Sequence, residues 1–125
     1  MLTKSQKNYL LAIYLLGQNG NRVRTTDIAD YLDVSKASTV KMTKILIEEG
    51  YILKEPYRQI SLTGTGVAEA NKLYTPCIIL KDMLMKKAGL SDEKAENVGM
   101  VLSSELDDET LEKIVCFALS FTKEE

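Results

Sequence analysis

Histidine is absent from all 125 residues of the chain, and cysteine appears twice, as Cys77 and Cys116. The first absence removes the side chain best suited to proton transfer near neutral pH and the commonest transition-metal ligand. No Cys, Ser or carboxylate constellation takes its place, so nothing resembles a nucleophile with a base and an orienting partner. Ser103-Ser104-Glu105 reads as a helix segment, and no enzyme is expected. The two cysteines form neither a zinc-ligand spacing nor a C-x-x-C pair, and they read as buried or partly buried thiols of a reducing compartment. Long apolar runs are missing as well: none approaches the roughly 20 residues of a membrane span. The opening stretch MLTKSQKNYLLAIYLLG lacks a small-residue cleavage site and carries polar residues on its face. It reads as an amphipathic helix rather than a signal peptide, and a cytoplasmic protein is expected.

What is present fits a soluble globular chain, 45% hydrophobic and 27% charged, forming one compact domain or two small subdomains. The formal net charge of −2 conceals an asymmetry. Residues 1–64 hold nine Lys/Arg against six Asp/Glu, whereas residues 65–125 hold seven against twelve. A basic half joined to an acidic half implies that only the first meets a polyanion. The stretch VSKASTVKMTKIL, Val34 to Leu46, sharpens this: it has Lys36, Lys41 and Lys44, no carboxylate, and small residues at its start.

Spacing along the chain gives the elements. Leu10, Leu11, Ile13, Tyr14 and Leu16 make an apolar stripe that Gly17 and Asn19-Gly20 terminate. The link RVRT around Val23 has the makings of a brief strand. Thr25 or Thr26 is the expected N-cap of a short helix through Leu32, with Asp27 favourable in its first turn and Ile28, Ala29 and Leu32 facing inward. Asp33-Val34 makes a tight turn, plugged by Val34. Ser35 caps the next helix, which ends at Gly50 with Thr39, Thr43 and Leu46 turned to the core. YILKEPYRQISLT then reads as a hairpin with a longer loop. Two helices joined by a tight turn and followed by a hairpin predict a winged helix-turn-helix.

That geometry leaves Lys36, Ala37, Ser38, Lys41 and Lys44 outward or flanking. A helix enters the major groove of duplex DNA only where its facing side chains permit close approach. Small residues permit it, hydroxyls bond base edges or phosphates, and lysines neutralise backbone charge, whereas carboxylates would be repelled. Lys36, Ala37, Ser38 and Lys41, with the capping Ser35, are the candidate base-reading residues. Lys44, and Thr25 and Thr26 with their backbone N–H groups, are candidates for the DNA backbone, and Arg58 at the hairpin tip for a phosphate or the minor groove. Arg22 and Arg24 serve equally well as backbone contacts or solvated loop charges.

The second half is helical. A long helix from about Val67 to Lys87, with Pro76 expected to kink it, ends at Gly89. Ser91-Asp92-Glu93 opens a further helix carrying Val98, Val101 and Leu102. A last helix, after Asp107-Asp108-Glu109, carries Leu111, Ile114, Val115, Ala118 and Leu119 and frays at Lys123. This is more apolar surface than about sixty residues can bury, which implies a partner, most economically a second copy. The expected fold is mainly α with a small β-hairpin: a winged helix-turn-helix over residues 1–64 followed by an all-α dimerisation domain over 65–125. The expected function is a homodimeric, sequence-specific, double-stranded-DNA-binding transcriptional regulator, in repressor mode.

The segments NYLLAIYLL, TTDIADYLDVSKASTVKMTKILIEEGYI, YRQISLTGTG and LSSELDDETLEKI together resemble the diphtheria-toxin-repressor family, and within it the manganese-transport-regulator branch. The resemblance runs from about Lys7 to about Phe121 and includes the Leu-Thr-x-x-Gly after the wing. It implies homodimeric winged-helix repressors whose DNA affinity is set by Mn(II) or Fe(II) bound between the two domains. It also implies carboxylate ligands on the first helix and His and Glu ligands on the linker and fifth helices. At those positions this chain places Asn8, Leu11, Ile78, Met100, Ser103 and Ser104. First-row divalent ions need imidazole, carboxylate or thiolate donors, and none of the six is one. No metal cofactor is therefore expected. Cys77, Asp82 and Glu105 are the residues from which a relocated site would have to be built, and Cys77 is also the candidate for a thiol switch. A winged helix that docks another protein without touching DNA is the other alternative.

Overall fold

The computed structural model describes residues 2–122; the expected fraying at Lys123 lies outside them. The chain divides into two compact units, one up to Asn71 and one from Lys72 onward. No helix of the described residues is long and apolar enough to cross a membrane.

In the first unit α1 (Lys4–Leu16) is the central element. Thr3 and Gln6 cap it reciprocally: the Gln6 N–H donates to Thr3 Oγ1 (3.1 Å) and the Thr3 N–H to Gln6 Oε1 (2.8 Å). Tyr9 to Ile13 are all buried, so the middle of α1 is enclosed rather than striped, with α2, α3 and β2 packed on it. Gln6 itself is buried and donates through Nε2 to Glu49 beyond the end of α3 (2.9 Å).

Helix α2 (Thr25–Leu32) starts differently from expectation. Thr25 and Thr26 already lie within its first turn, and the cap is made by Asp27, whose carboxylate accepts the Arg24 N–H (2.9 Å). A charged acceptor at the third helical position satisfies that donor and opposes the helix dipole, so no hydroxyl is needed. The helix closes on Asp33 at φ +55°, where the Val34 N–H reaches the Ala29 carbonyl (3.0 Å). These backbone bonds make the turn; Val34 stays 39% exposed and does not plug it.

Ser35 begins α3 (Lys36–Glu48), accepting the Ser38 N–H at 3.0 Å. Thr39, Thr43 and Leu46 are its buried residues. Both threonines satisfy their hydroxyls on their own helix, Thr39 on the Ser35 carbonyl and Thr43 on that of Val40. Burial therefore leaves no orphaned polar group. Gly50 at φ +84° reverses the chain, with the Tyr51 N–H on the Leu46 carbonyl (3.0 Å).

The wing is β1 (Ile52–Lys54) antiparallel to β2 (Ile60–Leu62), in the register Ile52↔Leu62 and Lys54↔Ile60. The RVRT link forms no strand of its own. One bond, Ile60 N–H to the Val23 carbonyl (2.7 Å), ties it to β2 while Val23 is buried. Thr63 then anchors α4 (Gly64–Lys86): its hydroxyl donates to the Gly50 carbonyl (2.6 Å) and accepts the Gly66 N–H (3.0 Å). At Gly66 a Cβ would stand 2.0 Å from the Tyr51 carbonyl oxygen, so the helix lies against the backbone of the wing's root. Leu-Thr-x-x-Gly is the cap plus the close approach.

In the second unit the remainder of α4 continues as helix through Pro76 and gives way to a turn at Gly89 (φ +72°). Helix α5 (Asp92–Glu105), capped by Ser91, buries Ala95, Gly99, Ser103 and Ser104. Val98 and Val101 are exposed, and Met100 and Leu102 are half-buried. Small residues face α4 because the backbones meet: a Cβ on Gly99 would lie 3.0 Å from the Cys77 carbonyl oxygen. Helix α6 (Asp108–Thr122) is capped by Asp107, which accepts the Thr110 N–H (3.1 Å).

Candidate nucleic-acid interface

The narrow inward stripe of α3 leaves most of its circumference free. Lys36, Ala37, Ser38, Lys41 and Lys44 are all exposed, and no acidic side chain belongs to this helix before Glu48. Ser35 is exposed too, but its hydroxyl is engaged, accepting the Ser38 N–H and donating to Ser38 Oγ (2.8 Å). Ser38 Oγ keeps its own proton for a further partner. Val40, exposed between Lys36 and Lys44 on the same face, adds an apolar spot that the lysine pattern does not advertise.

Beside this face lies a cleft of about 620 Å³ between the start of α2, α3 and the wing. It gathers Thr25, Thr26, Lys36 and Arg58 from the sequence-derived set. Ala37, Ser38, Lys41 and Lys44 do not line it; they continue the exposed surface along α3. Arg24, read from the sequence as either a backbone contact or a solvated loop charge, joins the cleft, and so do Lys54 and Tyr57, which the sequence did not mark. The wing's fold-back alone brings Lys54 and Tyr57 to the same place. No carboxylate lines the cleft.

The six positions implied as metal ligands make a poor donor set. Leu11 is fully buried hydrocarbon and Ile78 is an exposed one. Ser103 accepts a bond from the Cys77 thiol (3.2 Å), and Ser104 donates to the Val101 carbonyl (3.3 Å). Asn8 and Met100 are weak donors at best. These residues do not fit a divalent transition-metal ion, and among the described residues no group of three or more Cys, Asp or Glu is placed to hold one. Cys77, Asp82 and Glu105 are thus not brought together: Cys77 bonds Leu73 and Ser103, and Asp82 pairs with Lys86 (3.3 Å). Burial pushes the Cys77 thiol pKa upward, only partly opposed by the Ser103 hydrogen bond, so Cys77 is a protonated, poorly nucleophilic thiol near neutral pH.

A helix with no acid before its last residue, preceded by a short helix and a tight turn and followed by a two-stranded wing, defines a winged helix-turn-helix protein of the DNA-binding class. Residues 1–60 match the family described as iron dependent repressor, N-terminal DNA binding domain. Over 121 residues the chain is 33% identical to an HTH-type transcriptional regulator of Methanocaldococcus jannaschii, covering 96% of this chain and 97% of that protein. It is 33% identical over 97 residues to the HTH-type transcriptional regulator MntR of Lysinibacillus sphaericus, covering 78% and 69%. The solved manganese regulator SloR superposes with a TM-score of 0.69 at 25% identity, covering 90% of this chain and 52% of SloR. The IdeR structure from T. acidophilum superposes at 0.73 and 22% identity, over 86% of this chain and 50% of that one, and supports the fold alone. The chain thus spans about half the length of these solved structures. It belongs to the iron-dependent-repressor family of DNA-binding transcriptional regulators.

Proposed function

We propose that the chain acts in the cytoplasm as a homodimeric repressor that occludes its operator and whose DNA affinity is not set by a bound metal. Lys36, Ala37, Ser38 and Lys41 are assigned to base edges, with Ser35 holding the start of the helix in place. Thr25, Thr26, Lys44 and Arg58 are assigned to phosphates. The observation that carries this assignment is the exposed face of α3, which holds no carboxylate from Lys36 to Ile47. Residues 1–64 are the DNA-binding part and residues 65–125 the dimerisation part. Within the second unit, Ile78 (51% exposed), Val101 (57%) and Phe117 (60%) are apolar side chains in solvent that self-association would cover. Two copies related by a twofold axis would present two α3 helices to half-sites about one helical turn apart, or a multiple of that.

Independence from metal is supported by the donor chemistry. Leu11 and Ile78 bring hydrocarbon, and the Ser103 and Ser104 hydroxyls are already bonded within the fold. The test is selection of bound sequences from random duplex DNA, with chelator and then with Mn(II) or Fe(II). The expected result is one palindromic motif enriched equally in both conditions. Enrichment only with metal would overturn the metal-free reading, and no enrichment would overturn sequence recognition.

A further inference from the structure

The wing tip spends conformational energy on display. Among the described residues four non-glycines have positive φ: Asn19, Asp33, Tyr57 and Arg58. Asn and Asp tolerate the left-handed region; Tyr and Arg do so poorly. Tyr57 (φ +62°, ψ +27°) and Arg58 (φ +62°) are consecutive, with the Gln59 N–H on the Pro56 carbonyl (3.4 Å) and the Glu55 N–H on the Gln59 carbonyl (2.7 Å). That is a hairpin turn of the kind for which Asn-Gly is the unstrained choice. The ring held at this cost has no use within the fold, since Tyr57 is 83% exposed.

Tyr57 instead forms a lip of the cleft whose cations are Arg24, Lys36, Lys54 and Arg58. None of the four is held in an ion pair among the described residues. Strain of this sort is retained where a side chain must be presented rather than packed. A cleft of unpaired cations with an aromatic lip suits a polyanion whose charges are spaced by apolar rings, as phosphates are by deoxyriboses. The occupant is duplex DNA rather than a small anion, because Lys36 and Val40 line the cleft and also belong to the outward face of α3. A strand flanking the groove entered by α3 would pass over it.

We propose that this cleft seats the DNA backbone beside the half-site, and that Tyr57 is a contact residue packing its ring on a deoxyribose between phosphates held by the surrounding cations. The proposal rests on the DNA-binding reading above. A backbone contact carries no sequence information, so it acts alike on operator and random DNA.

The test uses the full chain, a random-sequence duplex and fluorescence anisotropy across a salt series, with thermal unfolding in parallel. Tyr57→Asn is expected to raise the unfolding temperature by several degrees, because Asn accepts the turn's backbone. The same variant should weaken DNA binding about tenfold, the scale of an aromatic stacking contact, with the wild-type salt dependence kept since no charge is lost. Tyr57→Phe should bind like the wild type. Arg58→Asn should weaken binding and flatten the slope of log affinity against log salt by about one phosphate's worth, ~0.9. A Tyr57→Asn variant that is more stable yet binds as tightly as the wild type would overturn the assignment of Tyr57 while leaving DNA binding intact. A wild-type chain that binds no duplex at any salt would remove the DNA-binding reading and this one with it.

Discussion

Substituting Gly66 by Ala isolates the contact that fixes the root of the wing. An added Cβ would sit 2.0 Å from the Tyr51 carbonyl oxygen, 3.0 Å from its carbon and 3.2 Å from Leu62 Cδ2. The offending atoms are backbone, and the Tyr51 oxygen is already committed to the Thr63 N–H at 3.0 Å, so neither side can swing away. Reaching an ordinary separation means displacing the start of α4 from the hairpin by more than an ångström. Overpacking of this kind costs about 1–3 kcal/mol, and loss of the Thr63 bond adds roughly 1 kcal/mol. Better helix propensity returns up to about 1 kcal/mol, leaving a net loss of ~1–3 kcal/mol. Gly64 is the control: it lies in the same turn, and a Cβ there meets nothing within 4 Å. Because both substitutions remove the same flexibility from the unfolded chain, the difference between Gly66→Ala and Gly64→Ala reports the contact alone. Urea unfolding should show a clearly lower midpoint for Gly66→Ala and an unchanged or higher one for Gly64→Ala. Equal midpoints would refute the close approach, and with it the account of Leu-Thr-x-x-Gly.

Three further outcomes are expected. Lys41→Glu, at an exposed position of α3, should abolish operator binding in a gel-shift assay while circular dichroism and the elution volume stay those of the wild type. Hydrogen bonds from the Thr110 side chain and then from its N–H hold the Asp107 carboxyl below the usual carboxylate range. Since the folded value is the lower one, the stability it supplies is complete above the unfolded value of about 3.9 and fades as pH falls through the folded value. Asp107→Ala should therefore lower the unfolding midpoint at pH 7 and converge with the wild type in strong acid; a constant gap at all pH values would contradict that origin. Finally, a thiol reagent at neutral pH should label exposed Cys116 quickly and buried Cys77 only at the rate of unfolding, so equal labelling rates would refute the packing at Ser103.

Local chemistry made much of the fold readable before any coordinates. Ser35, Gly50 and Gly89 each punctuate a helix by a mechanism that acts over a few residues, and the structure uses all three. The misreadings arise where a second group competes for the same task. Thr25 and Thr26 look like caps, yet Asp27 reaches back with a stronger acceptor. Val23 looks like a strand, but the wing leaves only one bond to make with it. In α5 the apolar Val98 and Val101 catch the eye, while the buried face is Ala95, Gly99, Ser103 and Ser104. Hydrophobicity ranks residues by the area they can bury, and a crossing at backbone contact selects instead for residues that bury little. The cleft is half legible. Lys36, Arg24 and Arg58 stand out by charge, whereas Lys54 and Tyr57 gather only when the hairpin folds back toward α2 and α3.

The way α3 is held explains how an acidic chain can present a cationic surface without destabilising itself. A helix docked by a wide apolar stripe must surrender much of its circumference. Here the dock is three residues, Thr39, Thr43 and Leu46, of which only Leu46 is a large hydrophobe. The two threonines can be buried because their hydroxyls close on carbonyls of the same segment, so they ask nothing of the core's hydrogen bonding. The ends are fixed separately, by Ser35 at the start, by Gly50 at the reversal and by Gln6 holding Glu49 just past the last turn. Position is thus set by the termini and one leucine, and the outer face is released from packing duty. Only a face with no packing duty can be given over to lysines and small residues, and only such a face can enter a groove lined with phosphates.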